Sequence, residues 1–262
     1  MNIRPALPST FERVRRPRAA HLGGLKYLSV SRSDEGRVRK LNEDAFLDRS
    51  DIGLWAVADG MGGHDSGEVA SNLVVNALAG VEQFNSAYAY RDAVAAALQA
   101  SNRALVNAAA ERGGGVMGTT VAALLAFENH YACIWAGDSR VYLDRAGQIR
   151  RLTRDHSVVQ ELVSAGVLRK DEARRHAQAH VITRAVGAGA TLELETVSGR
   201  IYPGDRFFLC SDGVTNLIED DEIGEILARP PLQSAVDKII NLALARGAPD
   251  NVTAVLIGAE KA

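Results

Sequence analysis

The chain has 262 residues, near the upper limit for one domain and enough to bury a large core. Its 30 lysines and arginines stand against 32 aspartates and glutamates, a net charge of −2 that calls neither for nucleic acid nor for an anionic membrane. No apolar run approaches the roughly 18–20 residues of a transmembrane helix, and the two cysteines, Cys133 and Cys210, both lie in apolar strand-like runs. They read as buried free thiols suited to a reducing cytoplasm, which disfavours a disulfide framework or a zinc site.

In chain order, residues 1–24 come first, with five arginines, one glutamate and three prolines. They have no regular period and no apolar signal core, and read as a disordered basic tail. A transit peptide or a docking arm is the alternative. "LKYLSVSRSD" and "EDAFLDR" are predicted strands with partial alternation, "RVRKLNEDAF" is taken to run as a strand, and "LWAVA" is predicted as a fully buried one. A helix follows, with capping-box spacing at Asp65 and Glu68 and an apolar stripe at Val69, Leu73 and Ala77. Residues 91–111 form a second, alanine-rich helix with Val94, Leu98 and Leu105 on one side.

Short strands with hairpin-like joins come next, over "TTVAALLAF", "HYACIWAGDS", "RVYLDRAG" and "QIRRLT". Residues 155–190 are polar and irregular, with a helix over "SVVQELVSAG". "LELETVSGRI" and "RFFLCSD" resume the strands. Helices near 219–228 and 231–246 follow, the second capped by Gly247 and stopped by Pro249, and "NVTAVLIG" is a last strand. Runs of strands broken by helix pairs argue for a layered α+β fold with largely antiparallel sheets.

The stretch "LWAVADGMGGHDSGEVASNLVVNAL" ends an apolar strand on Asp59 and turns through Gly60, Gly62 and Gly63. Such a turn could cradle a phosphate, be a plain tight loop, or present Asp59 to a metal. It matches neither G-x-x-x-x-G-K-[ST] nor G-x-G-x-x-G. The rest of the chain bears on the choice. Asp138 in "CIWAGDSR" and Asp212 in "FFLCSDG" also end apolar runs, Asp250 in "RGAPDNVTAV" begins one, and Glu43 and Asp44 add two more carboxylates. Six carboxylates converging at sheet edges would push one another's pKa up or recruit cations. Hard oxygen ligands without a His/Cys cluster select Mg2+ or Mn2+.

The segments "RVRKLNED", "ADGMGG", "GTT", "GDSR", "SDG" and "DN" follow the order and spacing of the type 2C metal-dependent serine/threonine protein phosphatases, and the chain resembles the bacterial branch of that family over about residues 27–258. The resemblance implies an α-β-β-α sandwich of four layers, two central, mostly antiparallel sheets flanked by helix pairs. It implies a phosphatase domain over 25–262 with a flap at about 155–190. It implies two tightly bound Mn2+ or Mg2+ ions and a third, weaker one. Asp59 would bridge the pair and Gly60 would offer its carbonyl, its missing side chain letting backbone approach the ion. Asp212 and Asp250 would hold the first metal, Asp44 and Glu43 would act partly through waters, and Asp138 with Asp212 would form the third site. Arg39 would fork onto the substrate phosphate.

Hydrolysis of phosphoserine or phosphothreonine would proceed by direct attack of a metal-bridging water. Neither cysteine is followed by five residues and an arginine, and Arg140 falls one position too late for Cys133. Animal members carry a histidine directly after the Asp-Gly, where this chain has Met61. His64, His156 and a metal-bound water are left as alternatives for the acid. The implied partners are phosphorylated proteins, a Ser/Thr kinase and its substrates, met in the cytoplasm by a monomer that binds neither nucleic acid nor membrane. Two other readings compete: a phosphatase restricted to one small regulatory protein, and a non-catalytic phosphoprotein-binding module.

Overall fold

A computed structural model describes residues 13–62, 66–82, 84–173, 176–228 and 231–262. One sheet is built from β1 (Arg13–Leu22), β2 (Leu25–Asp34), β8 (Arg140–Arg145), β9 (Gln148–Arg151), β11 (Arg206–Cys210) and β12 (Val252–Lys261), in the order β1-β2-β12-β11-β8-β9. The other holds β3 (Asp44–Arg49), β4 (Leu54–Met61), β6 (Val121–Phe127), β7 (His130–Ala136) and β10 (Glu195–Arg200) in the order β10-β7-β6-β4-β3, with β5 (Gly118–Thr119) paired to the end of β4. Neighbouring strands are antiparallel throughout. Helices α1 (Ser66–Ala79) and α2 (Ala87–Glu111) lie against the second sheet. Helices α5 (Asp212–Thr215), α6 (Asp220–Leu227) and α7 (Leu232–Ala245) lie against the first. Short α3 (Val158–Ser164) and α4 (Lys170–Ala173) belong to the connection between β9 and β10.

The apolar runs of the sequence are explained by burial on both faces of each sheet. In β4, Trp55 and Val57 point between the sheets, while Leu54, Ala56 and Ala58 meet α1 and α2. In β12, Val255 and Ile257 point between the sheets and Ala254 and Leu256 meet the other helix layer. Three apolar clusters therefore separate four layers, as expected. The stripes predicted for α2 and α7 are buried: Val94, Leu98 and Leu105 in one, Ala235, Val236, Ile239, Ile240 and Ala243 in the other.

Three expectations are corrected. The basic segment expected to be a disordered tail forms, from Arg13 onward, the edge strand β1 against β2. Gly23 and Gly24, at φ +57° and +78°, make the two-residue turn that folds it back, because both central positions of such a hairpin need positive φ. Residues 1–12 lie outside the described residues. Second, "RVRKLNE" is not a strand; residues 35–43 form a loop and β3 starts at Asp44. Asn251 accounts for this, since its Nδ2 donates to the carbonyls of Glu35 and Leu41, both at 2.9 Å, and its Oδ1 accepts from the Glu43 N–H at 2.8 Å. Third, the buried face of α1 runs through Gly67, Ala70, Ser71, Val74 and Leu78, leaving Val69 40% exposed. Small residues in its first turns let the helix sit directly on the end of β4. Asp65, the predicted cap, lies outside the described residues.

Candidate active site

Antiparallel pairing collects the carboxylates at one end of the sandwich. Asp44, the first residue of β3, is the cross-strand partner of Asp59, near the end of β4. Asp212 opens α5 directly after β11, Asp138 lies in the turn between β7 and β8, and Asp250 precedes β12. Their electrostatics show that they meet. Burial, followed by the charges of Asp44, Asp212 and Asp138, holds Asp59 well above the usual carboxylate range, and a hydrogen bond between the Asp59 and Asp212 carboxyls adds to this. Burial and the charge of Asp212 also push Asp138 well up, and burial with the charge of Asp250 raises Asp212. Asp44 is pushed up to about 7, chiefly by burial, against the opposing hydrogen bonds of Thr253 and Ser211; the Ser211 hydroxyl donates to its Oδ2 at 2.7 Å. Asp59, Asp138 and Asp212 are half-buried by surface area, so each keeps one side open while protein desolvates the rest.

Hydrogen bonds fix the strand ends. The Asp59 N–H donates to Thr120 Oγ1 at 3.0 Å, and the Asp59 carbonyl accepts from the Thr120 N–H and the Thr119 hydroxyl at 2.8 and 2.9 Å. The Gly60 N–H donates to the Glu43 carbonyl at 3.1 Å. Arg39, on the loop, donates from Nη2 to Asp250 Oδ2 at 2.9 Å and keeps half its side chain exposed at the rim. Its salt bridge is therefore to Asp250, and Glu43 and Asp59 add weaker attraction.

Of the residues singled out from the sequence, Arg39, Glu43, Asp44, Asp59, Gly60, Asp138, Asp212 and Asp250 are brought to this one end. His64 lies outside the described residues. His156 is near but does not fit the role of acid considered for it. Its side chain is 5% exposed and stacked on Trp135, Nδ1 accepts from the Gly137 N–H, and Nε2 faces Glu195. A group closed in on all sides cannot reach a leaving oxygen. Gly60 has a packing reason besides the one expected: a Cβ there would lie 2.1 Å from the Gly67 carbonyl oxygen, so helix α1 itself excludes a side chain. Asn251, Thr120 and Ser211 were not singled out, although they fall within the "DN", "GTT" and "SDG" segments. His180, exposed on the 155–190 connection, also went unremarked; its charge favours ionised Asp212.

The donor set fits hard divalent cations. Among the described residues no group of three or more His, Cys, Asp or Glu is arranged to hold an ion unaided. Small hard ions keep several waters and take one or two carboxylates each, so a paired arrangement suffices. The mutual raising of Asp44, Asp59, Asp138 and Asp212 is the stronger observation, because crowded carboxylates are what bound cations relieve.

It also sets a sign for pH dependence. An unfolded aspartate titrates near ~3.9. A folded pKa raised to about 7, as for Asp44, means that the folded state binds more protons between those values. In chelator, stability is therefore fully present below about 4 and falls as pH rises toward 7 and beyond. His156, lowered by burial and by Arg184, acts in the opposite direction but is one group against four. Chemical denaturation at pH 5 and pH 8 checks this, with Mn2+ expected to restore the loss at pH 8. Stability in chelator that rises across this range would show that the carboxylates do not crowd one another.

Comparison with known proteins agrees with this geometry. Residues 36–256 match the family model described as protein phosphatase 2C. The chain is 39% identical over 230 residues to the serine/threonine protein phosphatase PstP of Mycobacterium tuberculosis, a match covering 87% of this chain and 44% of that protein, so it spans less than half the length of that relative. It superposes at TM-score 0.83 on PppA of Pseudomonas aeruginosa, described as a key regulatory component of T6SS, with 43% identity over 89% of this chain and 97% of PppA. It superposes at TM-score 0.81 on the catalytic domain of PstP in complex with two manganese ions, with 38% identity over 90% of this chain and 99% of that domain. A sandwich whose strand ends gather buried carboxylates, and a match over most of its length, lead to one assignment: the chain belongs to the protein phosphatase 2C family.

Proposed function

We propose that this protein is a Mn2+- or Mg2+-dependent phosphatase that hydrolyses phosphoserine and phosphothreonine in proteins. The observation that carries the reading is the cluster of Asp44, Asp59, Asp138 and Asp212, each raised by burial and by neighbouring carboxylates, with the exposed Arg39 beside it. Asp59 would be shared by two ions, with the Gly60 carbonyl, Asp212 and Asp250 completing their protein ligands, Asp44 and Glu43 acting through waters, and Asp138 with Asp212 taking a third ion. Bound in pairs, such ions lower the pKa of a shared water toward neutrality and orient it for in-line attack.

The chain's own residues do the rest. Arg39 exchanges its contact with Asp250 for the substrate phosphate, offering a planar fork matched to two phosphate oxygens. Asn251 holds the loop that carries Arg39, and Thr120 holds the strand end that carries Asp59. Residues 25–262 form the phosphatase domain, joined at its sheet edge by β1, with 155–190 as the flap. Among the described residues no helix is long and apolar enough to cross a membrane. On this reading the protein acts as a cytoplasmic monomer that opposes a Ser/Thr kinase on its substrates.

The test is hydrolysis by the purified chain with Mn2+. Phosphothreonine and phosphoserine peptides should be cleaved and a phosphotyrosine peptide should be spared, with activity lost in chelator. Full activity in chelator overturns the metal reading, and cleavage of phosphotyrosine alone overturns the substrate class.

A further inference from the structure

Asp138 sits in a short turn, and each residue around it is pinned from outside. On one side, Gly137 makes two bonds to His156: its N–H donates to His156 Nδ1 at 3.1 Å, and its carbonyl accepts from the His156 N–H at 3.0 Å. On the other, Ser139 shares a hydrogen bond of 2.7 Å with Thr120 Oγ1, the same oxygen that accepts from the Asp59 N–H. Arg140 donates from Nε and Nη2 to Asp155 at 3.0 and 2.7 Å. The two residues that grip the turn from the flap side, Asp155 and His156, are consecutive. They form the root of the flap, whose returning segment is tied to the same place: the Thr183 N–H donates to the His156 carbonyl at 2.8 Å, and Ser157 bridges Ile182.

The His156 ring is built to hold position. It stacks on Trp135 with centroids 6.0 Å apart and planes 13° from parallel. Because Nδ1 accepts from an N–H, it carries no proton, and the ring proton of the neutral form resides on Nε2. Nε2 lies 3.3 Å from Glu195 Oε1, in a contact that falls short of hydrogen-bond geometry, and Arg184 Nη1 approaches the same oxygen at 3.3 Å. Sheet strand β10, the flap exit and the Asp138 turn thus converge on one imidazole that solvent barely reaches.

We propose that His156 is a positioning residue: with Asp155 it locks the Asp138 turn to the root of the flap, so that the placement of Asp138 beside Asp59 and the placement of the flap are set together. The proposal rests on the reading of Asp138 as part of the phosphatase site. It replaces the role of acid, which would need the Nε2 proton to face substrate.

The test compares His156→Asn, His156→Gln and His156→Ala in the full chain, with Asp138→Ala and the double variant. An asparagine amide oxygen can occupy the place of Nδ1 and accept from Gly137, whereas a glutamine amide reaches the place of Nε2. Amide exchange at Gly137, read by NMR in chelator, reports the clamp independently of activity. Slow exchange is expected in wild type and His156→Asn, and fast exchange in the Gln and Ala variants. With Mn2+, His156→Gln and His156→Ala should lose kcat by on the order of tenfold, the lower end for removing a group that supports a ligand. The loss should be equal on a phosphothreonine peptide and an aryl phosphate, with His156→Asn near wild type. Adding His156→Ala to Asp138→Ala should cost little more.

A His156→Asn variant that is inactive on the peptide yet active on the aryl phosphate would restore the acid role and overturn the proposal. So would a full additional loss in the double variant. Should the Ala variant not fold, the Asn and Gln pair decides. An inactive wild type would sink the phosphatase reading, while Gly137 exchange would still judge the clamp.

Discussion

Asp59→Asn is expected to lower turnover by at least ~10²-fold, the scale of losing one key electrostatic element in a site, and at the same time to make the metal-stripped protein more stable than wild type at pH 8. The two effects have one origin. Asp59 stands opposite Asp44 across the strand pair, shares a hydrogen bond with Asp212 and feels the charge of Asp138. Asparagine keeps the shape and can keep the backbone bonds to Thr119 and Thr120, which involve only main-chain atoms of residue 59. What it removes is a negative charge that the fold disfavours at pH 8 and that cations require. Activity should therefore fall because the ligand proposed to be shared by two ions is gone, and stability in chelator should rise because repulsion is gone. Steady-state kinetics with Mn2+ and denaturation in chelator read the two arms. Near wild-type turnover would remove Asp59 from the centre of the site. A less stable variant in chelator would mean that its carboxylate is held by favourable contacts instead of opposed by its neighbours.

The layers were legible because their cause is periodic. Unbroken apolar runs such as "LWAVA" and "VAALLAF" have to be buried on both faces, and a strand with helices on one side and a second sheet on the other meets that need. The metal-ligand candidates were legible as carboxylates at the limits of those runs. What was lost depends on contacts between segments far apart in sequence. "RVRKLNE" has the look of a strand, but Asn251, some 210 residues away, takes up its carbonyls and holds it as a loop. The grip of His156 on the Asp138 turn could not be read without knowing that residue 137 lies against residue 156. The hairpin of β1 was missed for another reason: the Gly23–Gly24 signal is local, but arginines and prolines on its N-terminal side masked it.

Gly60→Ala should be as damaging to the site as loss of a ligand, although it adds one methyl group and touches no charge. Gly60 has no positive φ, so the cost is one of space. A Cβ there would lie 2.1 Å from the Gly67 carbonyl oxygen, 2.4 Å from the Gly67 carbonyl carbon and 2.6 Å from the Glu43 carbonyl oxygen. All three are main-chain atoms, and no rotamer change relieves them. Gly67 mirrors the arrangement, since a Cβ on it would meet the Glu43 carboxylate at 2.4 Å and the Gly60 carbonyl carbon at 2.9 Å. The two glycines face each other, and the first turn of α1, the end of β4 and Glu43 are packed through the gap they leave. To admit a methyl, α1 has to back away by about 1 Å or the end of β4 has to bend, carrying Asp59 with it. Overpacking of this kind costs up to about 3 kcal/mol, and a displacement of about 1 Å at reacting groups can cost ~10²-fold in rate. The expected result is a folded protein of lower melting temperature whose turnover with Mn2+ falls by about that factor. Gly80→Ala is the control, because a Cβ there meets nothing closer than 3.5 Å and φ is not positive; it should change stability by less than about 0.5 kcal/mol. Should Gly60→Ala melt and turn over like Gly80→Ala, the close approach of α1 to the end of β4 would not be what holds Asp59 in place.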